Sequence, residues 1–153
     1  MNKVFFDLEW NTGFLDGNSF DEIIEIGAVK TDEEYREIDG FRRLIRPAIY
    51  RKMNPYIQKI LSITMKDLQN EEPLQAVAKA FFDWCGDCDT LIAWSGNDFG
   101  VLEKNLAHIG MEVPKRLNRY DVQMAYSYRT EKSIRNLSLI HISEPTRLRR
   151  ISY

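Results

Sequence analysis

The order of elements along the chain predicts a mixed α/β fold, with one sheet and flanking helices. Three apolar strand-like runs come first, and helical patterns then alternate with strands. The first of these runs carries two carboxylates, Asp7 and Glu9. The chain has 153 residues, of which 44% are hydrophobic and 12% aromatic, and this composition fits one compact core. These observations predict a single α/β domain with an acidic site on its first strand.

Each element is predicted from its periodicity and its boundary residues. Apolar runs at 3–9, 22–30 and 40–46 predict three strands, the last closed by Pro47. Apolar residues at helical spacing predict a helix over 72–85, and Gly86 supplies its stop. The remaining predicted elements are a short helix near 54–61, a turn at 67–68, a strand at 90–94, a helix at 98–109, a strand or turn near 117–121 and a last helix from Asp121.

Asp7 and Glu9 are two residues apart, so on a strand they project from the same face. Two like charges on a buried strand are costly unless a cation neutralises them. Carboxylate oxygens are ligands for hard divalent ions such as Mg²⁺ and Mn²⁺. The pair therefore indicates half of a metal site. The alternative is a strand end with both carboxylates in solvent.

Asp98 follows the strand 90–94 and opens the next helix. Ligands of α/β sheets collect at such strand ends, which predicts that Asp98 reaches the carboxylates of the first strand. The alternative role is a helix N-cap, supplied by Asn97 or Asp98, and the sequence alone leaves the two roles equally open.

The chain resembles the DEDD superfamily of 3′→5′ exonucleases, which proofread DNA and trim RNA. The first motif of that family is D-x-E, matched by Asp7 and Glu9. Two departures are Asn11, where a Thr is frequent, and Ser62, where a glycine is common. The resemblance runs from Met1 to about Asn136. Its other matches are the Ile23 to Val29 string, Arg46-Pro47, the turn-like Leu61 to Thr64 and the strand with its carboxylate, Leu91 to Asp98.

This resemblance implies a ribonuclease-H-like mixed sheet and two-metal hydrolysis of phosphodiesters with Mg²⁺ or Mn²⁺. Asp7 would bind both ions, Glu9 the ion that carries the nucleophile, and Asp98 the other ion. The implied substrates are 3′ ends of single-stranded DNA or RNA, and the implied products are nucleoside 5′-monophosphates. Trp10 and Asn11 are candidate substrate contacts, although packing in the core is the stronger alternative for Trp10.

The third motif of the family, a His followed five residues later by an Asp, has no match. His141 is followed at that spacing by Thr146. Residues 137–153 read LSLIHISEPTRLRRISY, which resembles the translation of a sequencing adapter. We therefore predict a partial exonuclease domain over 1–136, incomplete at its C-terminal side, and a non-native tail over 137–153. Without the third motif, this chain is expected to be nearly inactive.

Two other functions are compatible with the same residues. A ribonuclease-H-like module could bind nucleic acid or protein without cleavage, although the intact Asp7, Glu9 and Asp98 argue against it for the parent protein. A metal-dependent phosphatase acting on nucleotides would share the site chemistry. The sequence specifies neither DNA nor RNA, nor the oligomeric state.

Charge and composition limit the ligands and the location expected for the protein. Residues 1–136 carry 18 Lys and Arg against 22 Asp and Glu, which is unlike a strong duplex-DNA binder. The sequence contains no run that predicts a membrane span and no signal peptide, so we expect a cytoplasmic protein.

The segment Trp84-Cys85-Gly86-Asp87-Cys88 resembles a thioredoxin motif. It closes a helix, however, which argues against redox chemistry, and the cysteines are too few for a closed zinc site.

Overall fold

The computed structural model of the protein describes residues 1–130. The predicted tail over 137–153 lies outside this range. The elements in chain order are β1 (Lys3–Leu15), β2 (Asn18–Thr31), β3 (Glu37–Leu44), α1 (Pro55–Leu61), α2 (Met65–Leu68), α3 (Leu74–Cys85), β4 (Thr90–Ala93), α4 (Gly96–His108), β5 (Asn118–Asp121) and α5 (Val122–Thr130).

One five-stranded sheet organises these residues, in the order β3-β2-β1-β4-β5. The first three strands are antiparallel neighbours, whereas β4 and β5 run parallel to β1. The parallel strands require crossover connections, which α3 and α4 provide. The mixed α/β sheet predicted from the sequence is therefore confirmed.

The β1–β2 hairpin is longer than predicted. It extends to a two-residue turn at Asp16 and Gly17, whose φ angles are 51° and 80°. Two successive positive φ angles are the geometry of a tight hairpin turn, and Asp-Gly is a preferred sequence for it. The prediction ended the first strand at residue 9 because the polar and glycine-containing residues 11–19 lack apolar alternation.

A β-bulge interrupts the hairpin next to the acidic pair. Glu9 pairs with Glu25 and Trp10 pairs with Ile23, so Ile24 is the extra residue. The side chains of Ile23 and Ile24 enter different apolar clusters, although the residues are adjacent. The backbone N–H of Ile23 donates instead to Oδ1 of the buried Asn105 on α4, at 3.1 Å. The bulge thereby buries both isoleucines at the point where the strand bends.

Two apolar clusters stabilise the domain. The larger one packs one face of the sheet, including Val4, Phe6 and Leu8 of β1, against α3 and α4. Their alternation is the period-2 pattern of a half-buried strand. The smaller cluster centres on Ile24, Met53 and Leu68, beneath α1 and α2. Among the helices of residues 1–130, none is long and apolar enough to cross a bilayer.

The observed helices differ from the predictions mainly at their starts. The helix predicted over 72–85 begins at Leu74 because Pro73 occupies the N-cap position. The predicted turn at 67–68 belongs to a short helix, α2, which Thr64 and Asp67 cap reciprocally. The helix predicted over 98–109 begins two residues earlier, at Gly96, which places Asp98 inside its first turn.

Candidate active site

Asp7 and Glu9 lie where β1 extends beyond its shorter neighbour. The parallel pairing of β1 with β4 ends at Phe5 opposite Ile92, and β4 itself ends at Ala93. Among the strands of residues 1–130, none lies beside the next residues of β1 on that side. This is the carboxyl end of the parallel strands, where ligands of α/β sheets bind.

Asp98 fills the space at the end of β4. Its side chain is buried, with 7% of its surface exposed, and its carboxylate accepts a hydrogen bond from the backbone N–H of Leu8. That N–H lies between the two acidic residues of β1. This contact places Asp98 against the first strand beside Asp7, and a site shared by Asp98 with the carboxylates of Asp7 and Glu9 stays a prediction.

The environment of Asp98 opposes its negative charge. Burial, and then the neighbouring carboxylate of Asp7, raise the pKa of Asp98 to about 6. The hydrogen bonds from the Leu8 N–H and from Ser95 act in the opposite direction but do not cancel the shift. A buried carboxyl group with a raised pKa next to a second carboxylate is a feature of functional sites.

The alternative role of Asn97 or Asp98 as the helix N-cap is wrong. Ser95 occupies the N-cap position of α4, and the chain enters the helix at Gly96. At the neighbouring strand end, Asp121 caps α5 by accepting a hydrogen bond from the N–H of Met124 at 2.8 Å. The other oxygen of Asp121 lies 3.0 Å from where a Cβ on residue 96 would stand, so glycine permits this close approach.

Glu25 is a further carboxylate beside the predicted site. It pairs directly across the sheet from Glu9, so the two side chains share one face. Its side chain is only 13% exposed and accepts a hydrogen bond from Nε of Arg42 at 2.7 Å. Glu25 is therefore largely shielded from solvent on the face that it shares with Glu9. Arg42 thus balances one negative charge near Glu9.

The donor chemistry of the site suits a hard divalent cation. Asp7 and Asp98 supply carboxylate oxygens, and a nearby positive charge would relieve the repulsion that raises the pKa of Asp98. Within residues 1–130, however, no three His, Cys, Asp or Glu side chains are grouped so that they could hold a metal ion. Joint ligation by Asp7, Glu9 and Asp98 stays a prediction.

The two candidate substrate contacts have structural roles. Trp10 is partly buried and packs against the larger apolar cluster. Asn11 is 1% exposed; its Nδ2 donates to the carbonyl of Lys52 at 3.1 Å and its Oδ1 accepts from the N–H of Asn54 at 2.8 Å. Asn11 therefore fastens residues 52–54 to β1, and substrate contact by Trp10 or Asn11 stays a prediction.

Glu22 is a structural residue near the site that the sequence did not single out. Its buried carboxylate accepts hydrogen bonds from three consecutive backbone N–H groups, those of Ala48, Ile49 and Tyr50, at 2.8–3.0 Å. The Tyr50 hydroxyl also donates to the carbonyl of Phe20 at 2.8 Å. These contacts join a loop and a hairpin that are distant in the sequence, which is why no local pattern predicts them.

Replacing Glu22 with Ala is expected to lower the free energy of unfolding by about 2–4 kcal/mol. The change removes one acceptor from three N–H groups, at a place that is mostly shielded from water. Urea denaturation followed by circular dichroism measures the effect. Glu112→Ala, at an exposed position, is the control and should change stability by less than about 0.5 kcal/mol. Equal values for the two variants would contradict the role of Glu22.

The structure agrees with the rejection of redox chemistry at the two cysteines. Cys85 ends α3 and is followed by Gly86 at φ 58°, so the motif closes a helix. Both thiols are buried, and burial raises the pKa of Cys85 to about 12. A thiol with this pKa stays protonated at neutral pH and is a poor nucleophile.

The sequence profile of the exonuclease family RNase_T matches residues 4–147 of this chain. The chain belongs to this exonuclease family. The exonuclease domain is also 34% identical over 109 residues to a DNA polymerase III PolC-type protein of Clostridium perfringens (strain 13 / Type A). The aligned part is 70% of this chain but 7% of that relative, so the chain spans a small part of its length.

Solved structures show the same fold as this exonuclease domain. The nuclease domain of 3′hExo, a DEDDh family member bound to rAMP, has a TM-score of 0.74 at 16% identity, covering 90% of this chain and 74% of that one. Exonuclease I of E. coli in complex with a dT13 oligonucleotide has a TM-score of 0.65 at 18% identity, covering 83% and 29%. The predicted ribonuclease-H-like fold is confirmed.

Proposed function

We propose that the domain is a divalent-cation-dependent 3′→5′ exonuclease acting on single-stranded nucleic acid. The observation that carries the proposal is the contact of the buried Asp98 carboxylate with β1 beside Asp7. Membership of the exonuclease family supports it independently. The reaction adds water to a terminal phosphodiester, breaks the bond between phosphorus and the 3′-oxygen, and releases a nucleoside 5′-monophosphate.

The residues of this chain have separate tasks in that reaction. Asp7 and Glu9 stand on a strand that is paired in the sheet, so their backbone positions are fixed. Asp98 is held in place by the Leu8 N–H and by Ser95. A bound Mg²⁺ or Mn²⁺ would polarise the phosphate and lower the pKa of water. The three carboxylates are the proposed holders of that cation, with the 3′ end of the strand placed against them.

The size of the expected activity depends on the third motif. The sequence of this chain supplies no match to the His and Asp of that motif, and residues 137–153 are interpreted as adapter. Loss of a general base lowers a rate by about 10²–10⁴-fold. We therefore expect slow hydrolysis by this chain, and faster hydrolysis by a version in which the adapter residues are replaced by the natural continuation.

A gel assay with a single-stranded oligonucleotide labelled at its 5′ end tests the proposal. With Mn²⁺, the chain with the natural continuation should give a ladder that shortens from the 3′ end, and EDTA should abolish it. A matched oligonucleotide with phosphorothioate linkages at its 3′ end should resist. Cleavage within the oligonucleotide, or shortening from the 5′ end, would contradict the direction. No hydrolysis by either chain would favour a non-catalytic binding module.

A further inference from the structure

Positive charge is concentrated in one segment of the chain. Residues 40–66 contain seven Lys and Arg and no Asp or Glu, whereas the whole chain has a formal net charge of −2. The remaining residues therefore carry a formal net charge of −9, although shorter basic stretches occur among them, such as Lys115, Arg116 and Arg119. Such a local excess of positive charge attracts polyanions even when the protein as a whole is acidic. The basic residues are Arg42, Arg43, Arg46, Arg51, Lys52, Lys59 and Lys66.

The middle of this segment is fastened beside the carboxylates. We name residues 46–54 the strap. Asn11, which bonds to the strap at Lys52 and Asn54, is two residues beyond Glu9 on β1. Residues i and i+2 of a strand share a face and are separated by about 7 Å. The strap therefore crosses the face of β1 from which Asp7 and Glu9 project.

The strap is attached mainly through its backbone, which leaves its basic side chains at the surface. Glu22 accepts from backbone N–H groups of residues 48–50, and Asn11 bonds to the backbone at Lys52 and Asn54. The side chains of Arg51 and Lys52 are exposed. Attachment of this kind fixes the position of the two charges without neutralising them.

An exposed aromatic residue follows directly. Tyr56, in the first turn of α1, is 70% exposed, and its N–H donates to the side chain of Asn54 at 3.0 Å. Asn54 thus connects the strap, β1 and the first turn of α1. Basic groups beside an exposed aromatic ring match a single nucleic-acid strand, whose phosphates and base faces bind to the two kinds of side chain.

We infer that the strap and the first turn of α1 bind the single strand that leads into the carboxylate site. Arg51 and Lys52 contact its phosphates, and Tyr56 stacks on a base. This inference rests on the proposed function and adds the path of the substrate. Asn11 and Glu22 are positioning residues in this arrangement, because they hold the strap but do not touch the strand.

Binding of an oligothymidylate of about 12 nucleotides, labelled with fluorescein and measured by anisotropy in EDTA, tests the inference without hydrolysis. Arg51→Gln with Lys52→Gln should weaken binding roughly tenfold, and should reduce the slope of log affinity against log salt by about 1.4 between about 50 and 200 mM. Tyr56→Leu should weaken binding about 5-fold or more and leave the slope unchanged.

The matched control removes two charges elsewhere. Lys79→Gln with Lys115→Gln changes exposed residues on α3 and before the amino end of β5, away from the carboxylates. It should reduce the affinity and the slope much less than the strap variant. Acetylation of the unsubstituted protein provides a measurement that needs no variant. The oligonucleotide should protect Lys52 from acetic anhydride and leave Lys79 reactive.

The outcomes separate this inference from the proposed function. Binding that both double variants weaken equally, or an unprotected Lys52, would overturn the role of the strap and leave the exonuclease proposal standing. An unchanged affinity of Tyr56→Leu would overturn the stacking contact. If the unsubstituted chain bound no oligonucleotide in EDTA, the inference would fail, whereas metal-dependent hydrolysis in the gel assay would still support the exonuclease.

Discussion

Replacing Asp7 with Asn is expected to remove most of the Mn²⁺ binding of this chain, with an affinity loss of more than about 100-fold. Asp7 is the carboxylate whose charge acts on Asp98 and whose strand carries Glu9. The amide keeps the shape of the side chain but removes the negative charge that attracts the cation. Isothermal titration calorimetry with MnCl₂ at neutral pH measures the loss.

Asp16→Asn is the matched control for this substitution. Asp16 lies in the exposed hairpin turn at φ 51°, a conformation that Asn adopts readily. The same chemical change at Asp16 should leave the Mn²⁺ affinity of the chain unaltered. Binding by Asp7→Asn that equals the unsubstituted chain would remove Asp7 from the metal site, and with it the proposed chemistry.

Replacing Asp98 with Asn is expected to stabilise the metal-free protein at pH 7 by about 2–3 kcal/mol. The pKa of Asp98 is raised from its ordinary value of 3.8 to about 6, chiefly by burial and then by Asp7. Each pKa unit corresponds to about 1.4 kcal/mol. Asn keeps an oxygen that accepts from the Leu8 N–H but carries no charge, so the energetic penalty of a buried carboxylate disappears.

The sign of the pH dependence follows from the direction of the shift. Below pH 3.8 the carboxyl group is protonated in both the folded and the unfolded state, and it carries no penalty. As the pH rises towards about 6, the unfolded state loses its proton first, so the unsubstituted protein loses stability over this range. The Asp98→Asn protein should not show the part of this loss of stability that comes from ionisation of the Asp98 carboxyl group.

Thermal denaturation of both proteins from about pH 4 to 7, in EDTA, measures this difference. Asp87→Asn, at an exposed position, is the control and should follow the unsubstituted protein. Saturating Mn²⁺ should stabilise the unsubstituted protein more than Asp98→Asn, because a cation favours the ionised carboxylate. A destabilised Asp98→Asn at pH 7 without metal would show that the negative charge is needed for folding, contrary to this account.

The regular elements were predictable because their signals are local. The apolar runs of the strands and the helical spacing that ends at Gly86 repeat within a few residues, and the structure places strands and a helix there. The longer hairpin had a local signal as well, the Asp16-Gly17 turn, which the prediction did not use. The basic run over 40–66 is likewise visible in the sequence, as short clusters at 42–46 and 51–52 followed by two single lysines.

The contacts that arrange the site were not predictable, because each joins residues far apart in the chain. The side chain of Asn105 accepts a hydrogen bond from the backbone N–H of Ile23, and the carboxylate of Glu22 accepts hydrogen bonds from the backbone N–H groups of residues 48–50. Nothing in the local sequence distinguishes Asn105 or Glu22 from a polar residue at the surface. Both are buried in the structure, where a polar side chain requires hydrogen-bond partners.

The sequence by itself determined the chemistry that this protein offers: a pair of carboxylates on one face of a strand, and a third carboxylate after another strand. It did so because residue type and period-2 spacing are properties of the local chain. Only the tertiary structure decided that Asp98 meets the N–H of Leu8, that the pKa of Asp98 rises to about 6, and that Ser95 occupies the N-cap position of α4. Burial and charge proximity depend on which segments pack together, and residue order specifies this packing only through the folded whole.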